Sequence, residues 1–401
     1  MYNSNMKKAV LTLLVLTVLI AITAAVVFYG RGYRIDFNGG KPDLSTTGLL
    51  VATSSPDGAQ VFIDENLTTA TDDTINLAPG EYTVKIFKEG YFPWQKKITI
   101  EKGVVSKAYA LLLPTAPKLE SITNLGVENP VIDPTRTKIA YTVSDQTPQK
   151  NGIYILDMTS RPLLTLQGSS SQIVDNSLGQ FSQAQLSWAP DGSEIMATIS
   201  AQTISSTYLL RPNSFNDNPA NVSATLITVK ESWDKISADR QRSQINSLPS
   251  KIRTVVGKNF KVIAFSDDNS KILYEASASA TLPLIIQPRL IGVNSTPEDR
   301  NIKENSVYVY DIKEDRNYKI KQSLDPETES LMWLPDSDHL IHVHDKDIEV
   351  LEYDGANRTK VYAGPFLDKY VFPWPDSSRI VILTNLGNTN TAPNLYTISL
   401  K

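Results

Sequence analysis

The residues of this 401-residue chain with the clearest chemical potential are its three histidines, which lie within six residues of one another. His339, His342 and His344 are followed by Asp345 and Asp347. Side chains two residues apart in a strand share a face, so His342 and His344 would point the same way. Two imidazoles with a nearby carboxylate suit Zn²⁺ or Ni²⁺. A metal site is therefore one interpretation of this segment.

An ordinary strand explains the same segment without a metal. Ile341 and Val343 would then be buried, and the histidines would be solvated or packed against a neighbouring sheet. A metal-binding histidine also needs an outer hydrogen-bonding partner, which cannot be identified from the sequence. We favour this second interpretation and expect no metal ligand, no cofactor and no catalytic residue. The residues that bind a partner cannot be named from the sequence.

The composition excludes several kinds of chemistry. The chain has no cysteine, which excludes disulfides, cysteine-ligated zinc, iron–sulfur clusters and thiol nucleophiles. Its 39 Lys and Arg against 43 Asp and Glu give a net charge of −4, whereas nucleic-acid binding needs a basic surface. Three histidines leave little material for acid–base catalysis. We expect a protein that binds no nucleic acid and is not an enzyme.

An uncharged, mostly apolar run extends over 21 residues from Ala9 to Tyr29. As a helix it would be about 30 Å long, enough to cross the hydrocarbon core of a bilayer. Thr23–Ala25 is a passable cleavage site of a secretory signal, but the apolar run continues through Phe28, beyond the length of a typical signal core. We predict an uncleaved transmembrane anchor at residues 1–30, in a single-pass protein whose bulk is extracytoplasmic.

A small β domain follows the anchor. Residues 31–46 have turn-forming types and no apolar period, which predicts a linker. Residues 47–114 consist of short strand patterns between turns, and Tyr82, Val84 and Ile86 show the period of two of a half-buried strand. This length and pattern predict a compact β-sandwich.

Residues 47–114 closely resemble the PEGA domain. Its Pro-Glu-Gly-Ala motif reads Pro-Asp-Gly-Ala at Pro56–Ala59, and further matches are Leu77–Tyr82 and Lys88–Tyr91. The stretch Glu65–Thr74 departs from the family pattern. The resemblance implies an extracytoplasmic β-sandwich of envelope proteins and no catalytic activity.

An aromatic cluster, Tyr91–Trp94, lies beside a glycine turn of this domain. It could form a stacking surface for a sugar or a partner. A domain this small needs large side chains to build a core, however. We therefore favour a core role for Tyr91 and Trp94.

The remaining chain carries a degenerate repeat. Each copy places an apolar stretch before a turn rich in Pro, Asp, Gly and Ser, and a β-branched strand after it; Trp188–Ile195 is the clearest. The equivalent turn positions are 134, 190, 267, 335 and 375. Three or four strands in each repeat, at a repeat length of about forty residues, indicate a β-propeller blade. The copies predict five blades, or six if the segment between positions 190 and 267, the longest interval between turns, contains another blade.

The last copy is about one strand short, since few residues follow it. Lys118–Leu125 precedes the first copy and has no blade of its own. We predict that this segment supplies the outer strand of the final blade, which would leave no long unpaired edge.

The copies resemble the repeats of TolB-type propellers, whose core is Ser-Pro-Asp-Gly followed by a strand. The resemblance covers residues 118–401 and implies a binding platform or adaptor. Neither a hydrolase domain nor a Gly-x-Ser-x-Gly motif accompanies the repeats. Turn formation accounts for their aspartates without a metal or catalytic role.

Residues 231–249 interrupt the β pattern. Ser232 could cap a helix that Pro249 would end, with a thin apolar stripe formed by Trp233, Ile236, Ile245 and Leu248. We predict a helical insertion packed on the propeller, and docking of a partner is the less favoured interpretation. The predicted fold is thus all-β apart from one N-terminal transmembrane helix, with a small β-sandwich, a β-propeller and this insertion.

These features favour a membrane-anchored, non-catalytic binding or scaffold protein of the cell envelope, whose propeller interacts with an envelope protein or a cell-wall glycan. The alternative is a propeller hydrolase or lyase that uses carboxylates in the central funnel, shaped by loops such as Asn213–Asn221. Two facing acids would favour the alternative, and a funnel of apolar or hydroxyl groups would oppose it. A transmembrane sensor would need a second membrane protein, because only eight residues precede the apolar run.

Overall fold

The computed structural model describes residues 2–30, 33–38, 41–159, 170–200, 205–367 and 369–401. The chain divides into two compact units. The first contains residues 1–112 together with residues 287–296, and the second contains residues 113–286 and 297–401.

The N-terminal segment begins with helix α1, Tyr2–Gly30. Its stretch Val10–Val27 is long and apolar enough to cross a membrane, and none of it is buried inside the protein, although a signal sequence has the same properties. Strands β1, Tyr33–Asn38, and β2, Lys41–Thr46, follow and pair antiparallel. The sequence predicts a linker here, because these strands lack the apolar alternation of a half-buried sheet.

The small β domain contains two sheets. The first has three strands, β6 Asp73–Leu77, β3 Gly48–Ser55 and β9 Val105–Leu111, in that order. The second has four strands, β5 Asn66–Ala70, β4 Gln60–Ile63, β7 Gly80–Phe87 and β8 Trp94–Ile100, in that order. Strands β3 and β9 are parallel, and the other pairs are antiparallel.

One apolar core fills the space between these sheets. Val61, Val84 and Ile86 are fully buried in it. Trp94 is 4% exposed in the same core, and Tyr91 packs against it. The aromatic cluster therefore contributes two of its side chains to the core, as its sequence favours.

The larger unit contains five four-stranded antiparallel sheets, here called sheets 1 to 5. The strand β10, Leu119–Ser121, comes first in the chain but belongs to sheet 5. Sheet 1 contains β11 Glu128–Ile132, β12 Lys138–Val143, β13 Gly152–Asp157 and β14 Ser170–Asp175. Sheet 2 contains β15 Gln185–Trp188, β16 Ile195–Ser200, β17 Ser205–Leu210 and β18 Ala220–Asn221.

The remaining sheets follow the same plan. Sheet 3 contains β19 Phe260–Phe265, β20 Lys271–Ala276, β23 Val307–Asp311 and β24 Arg316–Lys321, and β21 Ala280–Thr281 pairs with β22 Asn301–Ile302 between β20 and β23. Sheet 4 contains β25 Ser330–Trp333, β26 His339–His344, β27 Asp347–Glu352 and β28 Thr359–Ala363. Sheet 5 contains β29 Val371–Pro373, β30 Arg379–Thr384, β31 Asn394–Ser399 and β10.

The turn between the first two strands has the same backbone hydrogen bonds in all five sheets. In sheet 2 the N–H of Gly192 donates to the carbonyl of Ala189, whose own N–H donates to the carbonyl of Glu194. The equivalent of Gly192 has a positive φ in every copy, and these residues are Arg136, Gly192, Asn269, Ser337 and Ser377. The five turns lie at the repeat positions that the sequence predicts.

Hydrophobic clusters join the sheets. One cluster joins sheets 1 and 2 and another joins sheets 3 and 4. A further cluster joins the first sheet to the last, with Tyr141 and Leu156 from sheet 1 and Phe372 and Leu383 from sheet 5. The two ends of the larger unit therefore meet. Apart from α1 and a helical insertion, the regular structure of the described residues is mostly β, as predicted.

The helical insertion consists of two helices, α2 Leu226–Ser247 and α3 Ser250–Asn259. Helix α2 begins before Ser232, because Leu226 and Val229 extend its apolar pattern towards the N-terminus. Pro249 separates the two helices and does not end the insertion.

Helix α3, not α2, attaches the insertion to sheet 3. No residue of α2 is buried, whereas Ile252, Val255 and Val256 of α3 share a cluster with Tyr274 of β20. Two short 3₁₀ helices, Phe181–Gln183 and Ser223–Thr225, complete the helical elements of the described residues.

Strand β10 supplies the outer strand of sheet 5, as the sequence predicts. It pairs antiparallel with β31, with Leu119 opposite Ile398 and Ser121 opposite Tyr396. The next residue, Ile122, donates its N–H to the carbonyl of Leu395 at 2.9 Å and is 1% exposed.

Replacing Ile122 should test this pairing. Ile122→Ala removes buried apolar atoms and leaves a cavity, so the free energy of unfolding should fall by about 2–5 kcal/mol. The measurement is urea unfolding of the full chain in mild detergent, followed by tryptophan fluorescence. The control is Leu119→Ala in the same segment, which is 37% exposed and should change stability by only about 0.5 kcal/mol. Equal small effects of both substitutions would contradict the packing of this segment.

Candidate functional site

The histidine-rich strand β26 brings three potential ligands together with the help of β27. His342 and His344 lie on one face of β26, and Glu349 of β27 is directly opposite His342. The Oε2 atom of Glu349 lies 3.5 Å from Nδ1 of His342 and 3.3 Å from Nε2 of His344. The two imidazole rings stack with their centroids 4.4 Å apart. These residues are called the His–Glu cluster below.

The carboxylate of this cluster belongs to neither of the two aspartates, Asp345 and Asp347, to which the sequence pattern points. Asp345 is 91% exposed at the turn, with its Oδ2 3.6 Å from Nδ1 of His344. Asp347 forms an ion pair with Lys360. Glu349 lies five residues beyond His344, so only the register of the β26–β27 hairpin could have identified it.

Two cations flank the cluster. The Nη1 of Arg358 donates to Oε2 of Glu349 at 2.8 Å and lies 3.1 Å from Nδ1 of His342. On the other side, Nζ of Lys321 lies 3.5 Å from Nε2 of His342. Lys321 also contacts both carboxylate oxygens of Glu329, each at 2.6 Å. Each cation therefore has a carboxylate partner.

These surroundings determine the charge of the cluster. Burial, together with the nearby His344, Lys321 and Arg358, lowers the pKa of His342 to about 4. Burial opposes ionisation of Glu349, but hydrogen bonds from Arg358 and His344 outweigh it and lower its pKa. At neutral pH the cluster thus has a neutral imidazole at His342 beside an ionised carboxylate.

His339 belongs to a different environment. Its side chain is 6% exposed, and Nδ1 lies 2.8 Å from Oδ2 of Asp336 in the turn before β26. Burial disfavours the imidazolium, but the hydrogen bond and charge of Asp336, with the charges of Glu352 and Asp338, raise the pKa of His339. The three neighbouring histidines therefore divide between two sites.

The turns of the repeats interact with one another. The Nη1 of Arg136 in sheet 1 lies 2.9 Å from Oδ1 of Asp267 in sheet 3. The N–H of Asp268 donates to Ser337 Oγ of sheet 4, and the N–H of Asp336 donates to Ser377 Oγ of sheet 5. One end of the larger unit is thus a connected set of turns, here called the turn face.

The turn aspartates mostly bond within their own turns. Oδ1 of Asp191 accepts bonds from the N–H and hydroxyl of Ser193, and Oδ1 of Asp268 accepts the same pair from Ser270. Burial is the main cause that raises the pKa of Asp267 above its usual value, and Arg136 only partly offsets it. This bonding agrees with a turn-forming role for the aspartates.

The first strands of neighbouring sheets lie side by side, β11 beside β15 and β19 beside β25. Together with β29 these are the first strands of the five sheets. Their 22 residues include one carboxylate, that of Glu128, which accepts a hydrogen bond from the hydroxyl of Ser144. Carboxylate-pair catalysis needs two facing acids, and these strands do not supply two.

A comparison with family models identifies the small β domain. Residues 47–115 match the PEGA domain. The resemblance carried by Pro56–Ala59, Leu77–Tyr82 and Lys88–Tyr91 is thereby confirmed. No curated protein matches the chain.

Solved structures similar to the chain include two TolB proteins. TolB from Acinetobacter baumannii is 13% identical at a TM-score of 0.22, and the match covers 79% of this chain and 60% of that one. A putative TolB from Agrobacterium tumefaciens is 13% identical at a TM-score of 0.21, and the match covers 69% of this chain and 74% of that one. An oligogalacturonate lyase in complex with manganese is 12% identical at a TM-score of 0.23, and the match covers 82% of this chain and 81% of that one. TolB proteins, to which residues 118–401 bear a resemblance, are thus among these structures, but such low TM-scores carry no argument about function.

The His339–Asp336 pair should make stability depend on pH. Because the folded pKa of His339 is raised, its stabilising contribution is complete below the unfolded value of about 6.5 and is lost as pH rises through the folded pKa. His339→Gln should therefore reduce the urea-unfolding midpoint most at low pH, and the difference from the wild type should shrink as pH rises. The measurement is a series of unfolding curves between pH 5 and 9.

The matched control is Glu194→Gln, which changes the equivalent position of the turn in sheet 2. It should leave the pH dependence above about 6.5 unchanged, because no histidine is removed. A difference between wild type and His339→Gln that is constant from pH 5 to 9 would show that the pKa of His339 is the same in the folded and unfolded protein, and would contradict its rise on folding.

Proposed function

We propose that the protein is a non-catalytic binding or scaffold protein of the cell envelope. In this proposal α1 anchors it in the membrane and the rest of the chain is extracytoplasmic. The larger unit would then present its loops to an envelope protein or a cell-wall glycan. The order of the chain carries this proposal, since an apolar helix precedes a PEGA-matching β domain and a unit of five sheets.

The character of α1 supports a membrane anchor. Leu14, Leu19 and Val26 are 58–65% exposed, which is costly in water and favourable in a bilayer. The exposed apolar surface continues past Ala25, where a signal peptidase would cut, to Val27. A signal sequence that is cleaved after Ala25 does not require apolar residues beyond the cleavage site.

Two observations support the absence of catalysis. The first strands of the five sheets have a single carboxylate, and the turn aspartates mostly bond within their own turns. The charged groups near His342 are already paired, Arg358 with Glu349 and Lys321 with Glu329. None of these groups has the unpaired acid or base that hydrolysis or elimination requires.

Fractionation of cells that express the C-terminally tagged chain tests the anchor. We expect the full 44.4 kDa protein in the membrane fraction after alkaline washing, with Met1 or Tyr2 as its first residue. External protease should digest it in spheroplasts. The control variant Leu14→Arg/Leu19→Arg should lose membrane retention, since each arginine costs about 2.5–3.5 kcal/mol at a helix centre. A soluble product that begins after Ala25 would contradict the anchor.

Affinity capture tests the binding role. The full chain in detergent should retain a defined protein from envelope extract or sediment with purified cell wall, whereas the unfolded chain should not. Release of reducing sugar or peptide fragments from cell-wall material would contradict a non-catalytic role and favour the hydrolase alternative.

A further inference from the structure

We propose that the His–Glu cluster binds a divalent transition-metal ion of the zinc class, in exchange for the guanidinium of Arg358. The ligands would be Nδ1 of His342, Nε2 of His344 and Oε2 of Glu349. This site goes beyond the proposed binding role and does not depend on it.

The two distances from Glu349 to the histidines fit tetrahedral coordination. Ligand bonds of about 2.0–2.1 Å at tetrahedral angles place neighbouring ligand atoms about 3.3 Å apart. Oε2 of Glu349 lies 3.3 Å from Nε2 of His344 and 3.5 Å from Nδ1 of His342. All three residues offer ligand atoms within 4.8 Å of one another. The side chains would therefore need little movement to surround an ion.

The backbone holds two of these ligands in position. His342 and Glu349 are cross-strand partners in a regular antiparallel hairpin, so their side chains leave the same face side by side. The side chain of His342 is 4% exposed and its ring is stacked on that of His344. A ligand fixed in this way loses little conformational freedom when an ion binds.

The donor types select the class of metal. Two imidazoles and one carboxylate suit Zn²⁺, Ni²⁺ or Cu²⁺, whereas Ca²⁺ and Mg²⁺ prefer oxygen donors. Three protein ligands also leave a fourth coordination position for water or a partner's side chain. His344 and Glu349 are 22% and 15% exposed, so this position can be reached from solvent.

Arg358 is the competitor for the site. Its Nη1 contacts both Glu349 Oε2 and His342 Nδ1, at 2.8 and 3.1 Å, and therefore lies where an ion would bind. Its side chain is 34% exposed and can move into water. Lys321 is held more firmly than Arg358, because its Nζ donates to both carboxylate oxygens of Glu329. Removal of the guanidinium should therefore strengthen metal binding, while removal of a ligand should weaken it.

Calorimetric titration of the metal-free full chain with Zn²⁺ in mild detergent tests the proposal. We expect one site in the wild type, binding at least tenfold weaker in His344→Ala and Glu349→Gln, and binding several-fold tighter in Arg358→Gln. Titration with Co²⁺ should give the visible absorption of a tetrahedral complex, which random surface binding would not produce. His339→Gln is the matched control, because it removes a histidine of the same strand outside the cluster, and it should bind as the wild type does.

Two results would overturn the proposal. One is the absence of a Zn²⁺ heat in both the wild type and Arg358→Gln. The other is wild-type affinity in His344→Ala. Zn²⁺ should also raise the unfolding temperature of Arg358→Gln more than that of the wild type, because tighter binding stabilises the folded state more. Circular dichroism verifies that each variant is folded, and His344→Ala, at a partly exposed position, provides the test if Glu349→Gln does not fold.

Discussion

The larger unit depends on one strand pairing between distant parts of the chain. The hydroxyl of Thr397 lies within hydrogen-bonding distance of the carbonyl of Glu120, 277 residues away. Loop-closure entropy grows only logarithmically with loop length, so this long closure costs little more than a shorter one. Burial of Ile122 and Val127 against residues of sheet 5 offsets that cost. Without the pairing β31 would be an unpaired edge, and the cluster that joins the first and last sheets would lose part of its apolar surface.

The repeated turns explain how unlike sequences form similar sheets. Each turn uses the same backbone hydrogen bonds and one residue with positive φ, and Gly, Asn, Ser and even Arg occupy that position. The strain of a non-glycine residue there is of the order of 1 kcal/mol, which a well-packed sheet can tolerate. In exchange the side chains gain partners, since Ser337 and Ser377 accept hydrogen bonds from neighbouring turns and Arg136 reaches Asp267. The turns therefore join sheets as well as strands.

The features that local residue types determine can be predicted from the sequence, whereas those that depend on strand register or on side-chain exposure cannot. The turn positions, the strand supplied by Lys118–Leu125 and the small β domain follow from patterns that span a few residues. Strands β5 and β6 overlap the stretch Glu65–Thr74 that departs from the family pattern, and no apolar alternation marks β5, because it has no buried residue and Leu67 is 60% exposed. Glu349 cannot be identified as a partner of His342 from the sequence for a related reason, since its position opposite His342 depends on how two strands align. Local periodicity contains no information about such alignment.

The charges around His342 explain how either a metal ion or the guanidinium of Arg358 could occupy the same position. Glu349 needs a cation in a half-buried position, because an unpaired carboxylate there would be costly. A guanidinium satisfies it with a single 2.8 Å hydrogen bond and also faces the neutral imidazole of His342. A dication would satisfy the same carboxylate and use the lone pairs of both imidazoles, but it would add one unit of charge beside Lys321. Glu329, held against Lys321 at 2.6 Å, limits that repulsion. The balance between the two occupants is therefore set by ion pairs on either side of the strand, and not by the histidines alone.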